Sequence, residues 1–200
     1  MLKRSLLLCG LTFLLVLVSS CLFDPEEKPP GDDTGDPIVE LDLTQRWHVL
    51  NNIEFAYNNR KYETYDALLS TSPQFTFFFD DGDVGGEIPV QWDRASELDA
   101  TGKLFRSNVQ SVPPADPVCR SIKLDLLYDP NNIAWIDKIP ELFPDETWHY
   151  ATINYTLQFT MDGDLTYIQN DAKAQFTVRN AGTEAAPHWE LVEFFDLGEN

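Results

Sequence analysis

The run from Ala151 to Met161 is the stretch that most constrains this chain. Ala151, Ile153, Tyr155, Leu157, Phe159 and Met161 alternate with Thr152, Asn154, Thr156, Gln158 and Thr160. Such a period-two pattern describes a long strand with one dry and one wet face. Asp162-Gly163 follows as a hairpin signal. Ala172, Ala174, Phe176 and Val178 then alternate with Lys173, Gln175, Thr177 and Arg179. Upstream, Ile122, Leu124, Leu126 and Tyr128 alternate in the same way, and a turn over 180–187 leads to a last strand from Trp189. Long strands joined by hairpins, each with one polar face, predict an antiparallel sheet with one wet side. The dry side needs a cover.

The cover lies at the other end of the chain. Val49, Leu50, Ile53, Ala56 and Tyr57 recur at helical spacing within one stripe. Asn58-Asn59 is a turn-tolerant pair, and Tyr62, Tyr65, Leu68 and Leu69 make a second, shorter stripe. Pro73 stops helical growth, and Phe75, Phe77 and Phe79 alternate as a strand. Asp93 caps a third short helix that carries Leu98, Thr101, Gly102 and Phe105 on one side and ends near Arg106. Three N-terminal helices are therefore expected over the sheet.

Residues 1–20 have the form of a targeting leader. Lys3 and Arg4 precede an apolar run, Leu6 to Val18, too short to span a bilayer comfortably. Val18-Ser19-Ser20-Cys21 resembles the lipobox of bacterial lipoproteins. The resemblance implies acylation of the Cys21 thiol, cleavage before it, and a location in the bacterial cell envelope, anchored to a membrane by lipid. That membrane is the outer membrane, or the periplasmic face, if the cell is Gram-negative. An ordinary secretory signal with an incidental cysteine is the plainer alternative. Residues 21–37 follow as an acidic, proline- and glycine-rich tether, which lacks the apolar surface to order itself. Its sixteen residues after Cys21 would span roughly 20–25 Å as a flexible coil. Residues 38–200 suit one domain.

Charge narrows the partners. The 200-residue chain carries −19, and loss of Lys3 and Arg4 with the leader makes the remainder more acidic still. This argues against nucleic acid and against electrostatic docking on anionic lipid, leaving acyl chains as the membrane anchor. Only Cys119 remains once Cys9 and Cys21 are accounted for, so no intrachain disulfide is expected. A small buried side chain is its expected role.

Other candidate sites are sparse. Asp80, Asp81, Asp83 and Glu87 could chelate calcium, but their spacing does not match a calcium-binding helix–loop–helix, and a solvated turn is the simpler reading. His48, His149 and His188 are far apart, without metal-ligand spacing. No metal or cofactor is expected. The stretch 129–147 is long for a connection yet carries Ile133, Trp135, Ile136, Ile139, Leu142 and Phe143. It either packs on its own domain or serves as a lid or contact surface, with packing the preferred expectation.

The order of bent helical pair, strand, short helix and long antiparallel strands resembles the nuclear transport factor 2-like superfamily, shared with SnoaL-like proteins and ketosteroid isomerase. Phe55-Ala56-Tyr57 with Tyr62, Tyr65, Leu68 and Leu69 resembles its opening helices. Phe75-Thr76-Phe77 is similar to its first strand, and Ala172 to Arg179 with Trp189-Glu190-Leu191-Val192 to its closing hairpin. The resemblance implies a cone-shaped α+β fold with a curved antiparallel sheet covered by about three helices. That fold hosts enzymes, ligand binders and dimerising adaptors, so function must come from a site. No position matches a catalytic motif of the superfamily, and no catalytic residue is assigned. The expected role is a non-catalytic, lipid-anchored domain binding an apolar small ligand or another envelope protein, with homodimerisation through the sheet as a further option. Tyr57, Trp135, Tyr155 and Glu193 are the candidate ligand-binding residues. The alternative is an isomerase, cyclase or dehydratase using a pocket carboxylate.

Overall fold

The computed structural model describes residues 42–198 apart from 83, 86–87, 107–117 and 162–165. The leader, Cys21 and the tether fall outside the described residues, as do Asp83, Glu87 and the Asp162-Gly163 turn.

Helix α1, Arg46–Asn59, buries Val49, Leu50, Ile53 and Ala56. The stop comes one residue later than the asparagine pair suggests. Asn58 and Asn59 stay helical, and Arg60 takes the left-handed conformation at φ 52°. The Lys61 N–H reaches the Ala56 carbonyl at 2.9 Å and the Arg60 N–H reaches Tyr57, closing the helix as a glycine-type cap would. The left-handed conformation costs a non-glycine residue about 1–2 kcal/mol. Here the Arg60 side chain is anchored, its guanidinium donating to the Cys119 carbonyl at 3.0 Å. Cys119 itself is 1% exposed.

Helix α2, Tyr62–Leu68, buries Tyr65 and Leu68. Strand β1 spans only Thr76–Phe78, and a three-residue strand β2, Gln91–Asp93, pairs with it. The sequence pattern does not reveal β2. Helix α3, Arg94–Arg106, starts where Asp93 Oδ1 accepts the Ser96 N–H at 2.9 Å. Its buried side carries Glu97, Leu98, Thr101, Gly102 and Phe105.

Strands β3 (Cys119–Leu127), β4 (Ile136–Lys138), β5 (Trp148–Met161), β6 (Thr166–Asn180) and β7 (Trp189–Asp196) complete the sheet. Its order is β2-β1-β7-β6-β5-β3, with β4 also paired to β5. The sheet is curved and unclosed. All pairings are antiparallel except β1 with β7, which is parallel. The core lies between the sheet and the helices, where Leu50, Ile53, Tyr65, Phe75, Phe176 and Leu191 are at most 2% exposed.

Two bulges decide what the inner face presents. In β6, Tyr155 opposes Ala172 but Leu157 opposes Gln169, so β6 carries one extra residue. Asp171 sits there at φ 53°, a conformation aspartate tolerates better than most. In β7, Val178 opposes Leu191 while Thr177 opposes Glu193, leaving Val192 as the extra residue. Each bulge reverses the alternation beyond it and bends its strand.

The 129–147 segment divides. Ile133 and Trp135 pack on the core, β4 extends the sheet, and Phe143 lies 5.8 Å from the Trp148 ring. Ile139 and Leu142 remain 69% and 86% exposed.

Candidate functional site

Between the helices and the inner face of the sheet lies a cavity of about 320 Å³. Helix α1 contributes Ile53 and Tyr57 to its wall, and α3 contributes Glu97, Ala100, Thr101 and Leu104. Strands β3 and β5 add aliphatic and aromatic side chains, among them Leu124, Leu126 and Tyr155. The bulges add the rest. Gln169 points inward because β6 gains a residue at the bulge, and Phe194 and Asp196 point inward because β7 does.

One polar centre is built around Glu97, which is 3% exposed. Its Oε1 accepts from the Tyr65 hydroxyl at 2.6 Å and the Thr101 hydroxyl at 2.9 Å. Its Oε2 accepts from the Trp92 indole N–H at 3.0 Å. Burial lifts the carboxyl above its ordinary range, although the three donors pull the other way. Burial, followed by the nearby Glu97 charge, lifts the Tyr65 and Tyr57 hydroxyls too. Tyr57 stands edge-on to Tyr65 and Phe105, at 5.4 and 5.2 Å.

A second polar centre lies on the sheet. The Tyr155 hydroxyl donates to Asp196 Oδ1 at 3.2 Å, and the Gly198 N–H donates to the same oxygen at 3.1 Å. Burial raises the Tyr155 pKa, and the Asp196 charge adds to it. Between the two centres the wall is aromatic, with Phe77 against Phe194 at 4.8 Å and Phe194 stacked on Phe176 at 4.7 Å.

The four residues expected from the sequence separate into two pairs. Tyr57 and Tyr155 line the cavity. Glu193 lies on the opposite face of β7, where Lys138 Nζ donates to it at 2.6 Å. The Val192 bulge is the reason. Trp135 lies outside the cavity lining and packs against the core, with the Arg46 guanidinium 6.0 Å from its ring centre. The same guanidinium is 5.3 Å from the Trp189 ring. Glu97 and Asp196 are the acidic groups the sequence reading did not single out as site residues. Glu97 was legible in principle: it precedes Thr101 by four residues and so shares the buried side of α3.

No histidine lines the cavity. His149 bonds Asp137 at 2.7 Å, His48 lies 3.2 Å from Asp42, and His188 is exposed. Among the described residues no three His, Cys, Asp or Glu side chains come together as metal ligands. None of the described helices is long and apolar enough to cross a membrane.

No protein-family model matches the sequence, and no curated protein does. Solved structures do match. The β subunit of the benzoate 1,2-dioxygenase from Burkholderia mallei is 10% identical, with 78% of this chain and 89% of that one covered and a TM-score of 0.50. A nuclear transport factor 2-like superfamily protein from Salmonella enterica is 9% identical, covering 76% and 87%, at a TM-score of 0.47. A nuclear transport factor 2-like protein of unknown function in nutrient uptake from Rhodospirillum rubrum is 10% identical, covering 78% and 99%, at 0.46. At such identities the likeness concerns the fold alone. The chain has the nuclear transport factor 2-like fold, α+β with a curved sheet and three covering helices.

Proposed function

We propose that this chain holds one small apolar molecule inside its cone while tethered to the cell envelope through a lipid on Cys21. The observation that carries the binding reading is the cavity of about 320 Å³, walled by aromatic and aliphatic side chains with two confined polar centres. Small-molecule sites have that character, a mostly apolar concavity with a few placed polar groups. The tether reading rests on the sequence: a short apolar leader, Val18-Ser19-Ser20-Cys21, and an acidic, proline-rich stretch behind it.

Native mass spectrometry of detergent-extracted protein tests the binding reading. The expected result is a retained small-molecule mass. Ala100→Trp, which fills the cavity from α3, should lose that mass while the protein still melts cooperatively. A cavity without retained mass, and without affinity for added apolar probes, overturns the reading.

An acid–base enzyme is the second reading, favoured by the buried Glu97 carboxyl in the wall beside Tyr57. Glu97 already accepts three hydrogen bonds, which fix its position and offset part of the lift that burial gives its carboxyl. That pattern suits an anchoring acceptor better than a group that must take up a proton in every cycle.

A further inference from the structure

We infer that the cavity selects a ligand whose polar end donates hydrogen bonds, an apolar amine first and an alcohol second, and that it rejects carboxylates and phosphates. The inference rests on the ligand-binding reading above and adds the chemical class.

It follows from a count of donors. Among the described lining residues, the side chains with an N–H or O–H are Tyr57, Trp92, Thr101, Tyr155 and Gln169, apart from acids. The Trp92 N–H and the Thr101 O–H are both spent on Glu97. The Tyr155 O–H is spent on Asp196. Among the described lining hydroxyls only that of Tyr57 is not committed to Glu97 or Asp196, so it can donate to a ligand. Gln169, part-exposed, offers an amide that can donate or accept. Beside these two donors the cavity faces a ligand chiefly with lone pairs: carboxylate oxygens at Glu97 and Asp196 and hydroxyl oxygens near them. The described lining contains no Lys, Arg or His. An anionic ligand would lose its hydration, meet no cation among the described lining residues and stand beside two acidic side chains, which is costly in a buried site. A donor or ammonium group meets acceptors, and the aromatic wall of Phe77, Trp92, Phe176 and Phe194 favours a cation over its ring faces.

Three probes with one hydrocarbon body test this: 2-naphthylmethylamine, 2-naphthalenemethanol and 2-naphthylacetate. Isothermal titration of the full-length, detergent-solubilised protein at pH 7 gives each affinity, with the Ala100→Trp protein as the baseline for probe that merely enters detergent. The amine should bind at least tenfold more tightly than the acid, with the alcohol between them. Glu97→Gln and Asp196→Asn each replace an acceptor oxygen by an NH2 donor. At least one should narrow the amine–acid gap severalfold in a protein that still melts cooperatively. An acid that binds as tightly as the amine overturns the donor inference and leaves ligand binding standing. An amine preference unchanged in both variants overturns the assignment to these acceptors. Absence of binding by all three probes overturns the binding reading, and the inference with it.

Discussion

The Asn58 side chain brackets the backbone of Leu124: its amide donates to the Leu124 carbonyl at 2.8 Å, and its oxygen accepts the Leu124 N–H at 2.7 Å. Two residues further along β3, the Leu126 N–H donates to Glu54 Oε2 at 3.1 Å. Helix α1 thereby covers the edge of β3 that faces away from β5. An uncovered edge of this kind templates pairing with another chain. Asn58→Ala should cost about 1–2 kcal/mol, the usual net worth of the bonds removed. Urea unfolding measures that loss, and sedimentation should show greater self-association. A variant as stable and as monodisperse as the parent would contradict the role given to this side chain.

The helical stripe makes a second prediction. Leu50 has no exposed surface, so Leu50→Ala should cost about 2–5 kcal/mol. Ile53→Asp, which buries an unpaired carboxylate, should prevent cooperative folding. Circular dichroism melts decide both.

Glu97 gives a pH dependence with a definite sign. Its carboxyl is held above the ordinary 4.5 by burial, so the folded state binds the proton more tightly than the unfolded chain. Stability from this group is fully present below pH 4.5 and is lost as pH rises through the folded-state value. Glu97→Gln removes the titration. The difference in unfolding free energy between parent and variant should therefore move in the variant's favour as pH rises from 4 to 7. A difference that stays flat, or moves the other way, rules out a raised pKa.

The 129–147 segment should respond residue by residue. Phe143→Ala and Trp135→Ala remove rings packed on Trp148 and beside Arg46 and should each cost about 1–3 kcal/mol, less than a fully buried ring. Leu142→Ala, at 86% exposure, should stay within about 0.5 kcal/mol. Thermal melts of the three variants, beside a pull-down from membranes, separate packing from partner contact. Unchanged melting of Trp135→Ala and Phe143→Ala with a lost partner would make the segment a contact surface.

Cys21→Ala should abolish acylation and leave soluble or unprocessed protein. If the variant still sediments with membranes after carbonate washing, the lipid anchor is wrong.

The sequence by itself determined the classes of element and their order. Helical and strand periodicities depend on local geometry, so Val49 to Ala56, Ala151 to Tyr155 and Ala172 to Val178 are buried where their spacing requires. The cap at Asp93 was legible for the same reason, and the burial of Cys119 from the apolar character of an unpaired cysteine. Strand β2 was not, because three residues carry no period and Trp92 is held by pairing to Phe77. The contents of the cavity were decided by tertiary structure. Period two predicts a face only while the register holds, and the bulges at Asp171 and Val192 reverse it. They turn Gln169, Phe194 and Asp196 inward and send Glu193 out to Lys138. Glu97 needed three donors from outside its own turn of helix or beside it, Tyr65, Trp92 and Thr101, to be tolerated in the core. Thr101 is a local partner, one turn along the same helix, but the Tyr65 hydroxyl is brought within reach only by the folded chain, and no local pattern encodes it.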